Sequence, residues 1–171
     1  MPEQKIYEDF ISILERNIGI ILKIARVYTN TLQDREDLIH DITLQMWKAF
    51  PGFEGRSKVS TWIYRIALNT ALNYRRNSRK NHDFIDIPVD LLANKTDADS
   101  ASDAQIELLY ESIAELDEFN KAIILLYLDG KSHEEIAEIS GISKTNVGTR
   151  ISRIKEQLRN LTNSKQKNHG T

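Results

Sequence analysis

Apolar residues recur along this chain at helical spacing almost from its first residue. Between Ile6 and Tyr28, the positions Phe10, Leu14, Ile18, Ile21, Ala25 and Tyr28 fall three or four apart, which predicts one long amphipathic helix with Gly19 as a weak point. A second helix follows, with Asp34 as its N-cap and Glu36 and Asp37 in its first turn, where carboxylates suit the positive end of the helix dipole. Its inner face is Leu38, Ile39, Ile42, Met46 and Phe50, and Pro51-Gly52 ends it. A short polar loop, Phe53 to Lys58, contains Gly55 for a tight turn, and Ser60 is the expected cap of a third helix. Trp62, Ile63, Ile66, Ala67, Thr70 and Tyr74 would face its core.

Periodicity fades after Lys80. Residues 81–103 are polar and acidic, hold Pro88, and read as a flexible linker. Beyond it Ile106, Leu109, Ile113 and Leu116 mark a helix, and Ala122 to Leu128 mark a nearly continuous apolar one that stops at Asp129-Gly130. A helix-turn-helix follows. Ser132 and Glu135 form a capping box, the first short helix reaches Ile139, Gly141 makes the turn, and Ser143 caps the second helix. Val147, Ile151, Ile154, Leu158 and Leu161 give that helix its inner face to about Leu161, and Asn163 to Thr171 reads as a frayed basic arm. The expectation is an all-α chain of two small helical domains, residues 1–80 and 104–163, joined by a flexible acidic linker over 81–103 and ending in a polar tail over 164–171.

Charge changes the picture, because the net value of −2 hides a segregation. From Glu54 to Lys80 seven cations face one acid, and from Ile142 to Thr171 seven again face one. From Asp83 to Glu118 eleven acids face Lys95 alone. Two basic segments around an acidic one suggest two nucleic-acid contacts joined by a stretch that itself resembles a polyanion. On the third helix Arg65, Asn69, Asn73, Arg76 and Lys80 form a cationic and amide stripe suited to a phosphate backbone; plain solvation is the other reading. On the second helix Asp37, Asp41 and Gln45, with His40 beside them, form an outer acidic stripe, where solvation is again the alternative. On the helix after Gly141 the outward face carries Thr145, Thr149 and Ser152, flanked by Asn146 and Arg153, for base edges. Lys144, Arg150, Lys155 and Arg159 are placed for phosphates, which supply affinity more than specificity.

Several chemistries find no support in these residues. The absence of cysteine removes disulfides, thiolate zinc sites and thiol catalysis, and fits a reducing cytoplasm. His133-Glu134-Glu135 begins like a zinc-protease helix, yet the position four beyond His133 is Ala137. No glycine-rich phosphate loop or GxSxG elbow is present, and His40 and Asp41, being adjacent on a helix, point about 100° apart and make a poor acid/base pair. The run Ile18 to Leu22 is far too short for a membrane span. The expectation is a cytoplasmic protein that is not an enzyme, with no metal or cofactor and no membrane insertion.

The order of motifs is distinctive: Asp34-Arg35-Glu36-Asp37-Leu38 running to Trp47, then Phe53-x-Gly55-x-Ser57 to Thr61-Trp62-Ile63-Tyr64-Arg65-Ile66-Ala67-x-Asn69, an acidic linker, and the helix-turn-helix. Across almost its whole length the chain resembles the bacterial RNA polymerase sigma factors of the extracytoplasmic function (ECF) group, which keep conserved regions two and four. That resemblance implies that Asp37, His40, Asp41 and Gln45 dock on the clamp helices of the polymerase β′ subunit. It implies that Arg56, Ser57, Lys58, Ser60, Thr61, Trp62, Arg65, Asn69, Asn73 and Arg76 recognise and melt the minus-ten element, with a flipped base held by the loop. It further implies that Lys144, Thr145, Asn146, Thr149, Arg150, Ser152 and Arg153 read duplex at the minus-thirty-five element while this region touches the β flap. The linker resembles a segment threaded through the polymerase cleft, and an anti-sigma factor is a further implied partner. Two positions depart from the family pattern: Val59, where an aromatic is common, and Gly148, where a lysine or arginine is common. The competing reading is a helix-turn-helix regulator that needs no polymerase, although simple repressors usually pair two identical units on a two-fold site.

Overall fold

The computed structural model describes residues 2–76 and 100–169, and among them every regular element is helical. The chain divides into two compact units, Met1–Asp97 and Ala98–Thr171.

The first unit is a bundle of α1 (Pro2–Tyr28), α2 (Leu32–Ala49) and α3 (Val59–Arg76), each packed on the other two. Phe10, Leu14, Ile18, Ile21, Ala25 and Tyr28 are all buried, as their spacing predicts. Ile20, Ile24 and Val27 are buried as well, because α1 has two neighbours and needs a wider apolar arc than one stripe. The N-cap of α2 is Thr31 and not Asp34. The Thr31 backbone is extended and its hydroxyl accepts the Asp34 N–H at 3.1 Å. Both residues are good caps; the short connection after α1 uses the first, and Asp34 falls in the first turn, where its charge suits the dipole. α2 gives way at Phe50 to a single 3-10 turn, Phe50–Gly52, with proline in its opening positions.

Helix α3 also starts one step earlier than its expected cap. The Lys58 carbonyl accepts the Trp62 N–H at 3.1 Å, so Ser60 lies inside the first turn. Its core face is Ile63, Tyr64, Ala67, Leu68 and Ala71, all buried. Trp62, Ile66, Thr70 and Tyr74, expected inside, are only half-buried. The buried arc is rotated because α3 fills the groove between α1 and α2 and is contacted from both sides.

The second unit contains α4 (Ser100–Ala114), α5 (Glu118–Leu128), α6 (His133–Ser140) and α7 (Lys144–His169), with α7 packed on the other three. The expected linker lies outside the described residues up to position 99, and its last four positions belong to α4. Ile106, expected inside, is 45% exposed, whereas Ile113 and Leu116 are buried. The helix-turn-helix forms from its predicted caps. Ser132 Oγ accepts the Glu135 N–H at 3.1 Å, and Ser143 Oγ accepts the Asn146 N–H at 3.2 Å. Gly141 adopts a left-handed φ of 78° that a side chain would strain, and its N–H closes α6 on the Ala137 carbonyl at 2.9 Å. α7 does not stop near Leu161 but continues to His169, and Lys165 pairs with Glu115 beside the end of α4. The cations of this tail therefore extend a helix, and Lys165 at least is engaged within the unit.

Candidate nucleic-acid interface

The loop of the first unit turns at Gly55, whose φ of 70° favours glycine. That turn brings Glu54 and Arg56 into an ion pair at 2.7 Å, but both side chains are mostly exposed, so the pair adds little to stability and is readily exchanged for a ligand. Beneath the loop the Phe53 ring lies 4.7 Å from that of Trp62. Trp62 touches Phe50 at 6.3 Å, Phe50 touches Phe10 at 5.6 Å, and Phe10 touches Trp47 at 5.1 Å. This aromatic column ties the loop to the core. Next to these rings an open cavity of about 330 Å³ is lined by Gly52, Phe53, Glu54, Arg56, Ser57 and Trp62, which give it two aromatic rings and two charged groups. Such a cavity suits one planar, hydrogen-bonding heterocycle.

Residues assigned to DNA from the sequence separate by burial. Arg56 and Lys58 are exposed, while Ser57, Ser60, Trp62 and Arg65 are half-buried. Thr61 is only 4% exposed and faces the bundle. Asn69 and Asn73 are exposed about three and four turns along α3, and Arg76 is its last residue.

On α2, Asp37, His40 and Asp41 are half-buried and Gln45 is exposed. Tyr74 of α3, which the apolar spacing had placed in the core, sits against this acidic stripe and donates from its hydroxyl to Asp34 Oδ1 at 3.4 Å. Desolvation first, and then the charges of Asp34, Asp37 and Asp41, push its phenol up to about 12. The stripe is thus brought beside the end of α3. The only sequence signal was a tyrosine at the edge of an otherwise apolar face.

In the second unit Thr145, Asn146, Thr149, Ser152 and Arg153 are exposed on α7, as expected of a recognition face. Lys144 pairs with Glu134 of α6 at 3.1 Å, an exposed contact that a phosphate could replace. Arg150 differs. It is half-buried, with its guanidinium 4.7 Å from the centre of the Phe119 ring and Nη1 donating to Asn120 Oδ1 at 3.2 Å. Lys155 lies 4.4 Å from the Tyr127 ring centre and donates to the Tyr127 hydroxyl at 2.6 Å. Gly148 borders α6, and a Cβ there would meet the His133 ring at 3.7 Å, an ordinary contact. None of these partners was visible in the sequence pattern.

Among the described residues no group of three or more His, Cys, Asp or Glu side chains is placed to hold a metal ion, and no helix is long and apolar enough to cross a membrane.

Family models place these two units. The model for sigma-70 region 2 matches residues 13–81, and the model for sigma-70, region 4 matches residues 106–158. The ECF RNA polymerase sigma-E factor of Haemophilus influenzae is 30% identical over 152 residues, which cover 81% of this chain and 80% of that protein. The RNA polymerase sigma factor YlaC of Bacillus subtilis is 30% identical over 145 residues, covering 81% and 83%. Among solved structures, CnrH in complex with the cytosolic domain of CnrY matches with a TM-score of 0.66 at 20% identity, over 92% of this chain and 90% of that one. The sigma factor RpoE of Bartonella quintana, solved with the anti-sigma factor NepR, also gives 0.66 at 20% identity, over 90% and 96%. At such identity the structural likeness shows a shared fold.

Proposed function

Because the chain belongs to the ECF-type RNA polymerase sigma factors, we propose that its two interfaces divide the work of promoter recognition between them. The acidic stripe Asp37, His40, Asp41 and Gln45 docks on the β′ clamp helices of core polymerase. The loop cavity takes one base flipped from the nontemplate strand, with Trp62 and Phe53 beneath it and Arg56, Ser57 and Lys58 around it. Ser60 and the buried Thr61 support the seat of that loop. Arg65, Asn69, Asn73 and Arg76 carry the adjoining strand along α3. Extracting a base costs a few kcal/mol, and a cavity already shaped by its aromatic column offsets that cost only for a base that fits. Sequence choice and strand opening are then one event.

The α7 face of Thr145, Asn146, Thr149, Ser152 and Arg153, with Lys144 at its edge, reads the minus-thirty-five element in the major groove, and this region meets the β flap. The protein acts in the cytoplasm with polymerase, contributes no chemical step of its own, and is held in reserve by an anti-sigma partner, as the named complexes of its structural neighbours suggest. The observation that carries the reading is the pairing, in one chain and in family order, of a loop cavity lined by Phe53 and Trp62 with a capped helix-turn-helix.

The test is transcription in vitro by purified core polymerase, with and without the chain, on fragmented genomic DNA. Starts that depend on the chain and disappear in Asn69→Ala with Arg76→Ala are expected. Asp37→Lys with Asp41→Lys should abolish them by preventing polymerase binding, while duplex binding is retained. An unchanged pattern in the acidic-stripe variant would assign polymerase docking elsewhere.

A further inference from the structure

Resting on the reading of α7 as the recognition helix, we infer that Arg150 is a positioning residue for minus-thirty-five discrimination and not a phosphate contact. Its guanidinium face is stacked at 4.7 Å on Phe119, and its Nη1 donates at 3.2 Å to Asn120. Both partners belong to the first turn of α5, and that turn is itself fastened. Asp117 caps α5 by accepting the Asn120 N–H at 2.8 Å, and its second oxygen accepts the Asn120 side-chain N–H, also at 2.8 Å. In the same turn Lys121, 1% exposed, reaches Glu118 at 3.3 Å. A continuous set of bonds therefore runs from the α5 cap through Asn120 to one flank of α7.

At about 100° per residue Arg150 lies roughly 60–70° from the line of Val147, Ile151 and Ile154 that faces the core. It borders that buried line, while Thr145, Thr149 and Ser152 lie on the far side. A planar group locked on this flank sets the rotation of α7, and with it the direction in which those three side chains meet base edges. Hydrogen bonds to bases depend on that direction, whereas phosphate attraction tolerates its change. The guanidinium matters as a flat, forked group, so an ammonium does not replace it.

The experiment uses the full chain assembled with core polymerase. It measures affinity for a promoter fragment found by the transcription test, intact or with its minus-thirty-five element scrambled, across a salt series. Arg150→Met, Arg150→Lys and Asn120→Ala should each lower the intact-to-scrambled ratio about tenfold. The slope of log affinity against log salt should stay at the wild-type value, and Arg150→Met combined with Asn120→Ala should add little. Loss of folded protein alone lowers both affinities equally, so it is an unchanged ratio in the folded Asn120→Ala variant that overturns the inference. So does a slope that falls by about 0.9 in Arg150→Met and is restored in Arg150→Lys, the behaviour of a phosphate contact. Asn120→Ala, remote from the α7 face, keeps the test open if Arg150→Met folds poorly. A wild-type ratio of one would overturn the reading of α7 itself, and the inference with it.

Discussion

Tyr74 shows how one side chain can join two elements that the sequence treats separately. Its ring fills the edge of the first bundle while its hydroxyl meets Asp34, and the nearby carboxylates of α2 oppose a phenolate. The folded phenol titrates at about 12 against 10 for the unfolded chain, so between these values the unfolded state loses its proton first. Stability from this group is complete below pH 10 and declines as pH rises through 12. Ultraviolet titration of wild type minus Tyr74→Phe should show one phenolate step near 12, moved downward by Asp34→Asn; a step at 10 would show that the acidic stripe does not reach the ring. Arg150 makes the same point from the other unit. Its cationic character was legible and its partners were not, since Phe119 and Asn120 lie some thirty positions earlier on another helix.

Among elements, the start of α2 was ambiguous in the sequence, because two candidate caps lie three positions apart. Thr31 and Asp34 both satisfy the chemistry of an N-cap, and only the path of the chain between α1 and α2 selects Thr31. Thr31→Ala should therefore cost about 1 kcal/mol of unfolding free energy in urea titration. A loss within a few tenths of zero would mean that Asp34 can take over as cap. Where the spacing constrained a turn from both sides, as at Ser132, Gly141 and Ser143, prediction and structure agree, because each of these residues satisfies its own neighbours without outside help. The end of α7 had no such signal. Its last turns carry little apolar periodicity, and Lys165 there pairs with Glu115 after α4, a contact that local pattern does not contain.

For the whole molecule, the division into two compact units makes a separate claim about folding. The second unit has its own core, with Ile113, Ile123, Leu126, Ile136, Val147, Ile151 and Ile154 all buried, and its caps are satisfied internally. Residues 98–171 expressed alone should show strong helical circular dichroism and one cooperative melt. A disordered spectrum would mean that the unit needs the rest of the chain.

Local spacing by itself determined the all-helical class, the inner face of α1 and most of that of α7, the position of the helix-turn-helix and the charge segregation that pointed to DNA. These are properties of residues within a few positions of one another, which one helix turn brings to a common face. Only the tertiary structure decided the rotated face of α3, the seat of the loop on its aromatic column, and which cations of α7 are engaged within the protein. Each of those depends on partners distant in sequence, so it arises from packing and not from any period a single helix can carry.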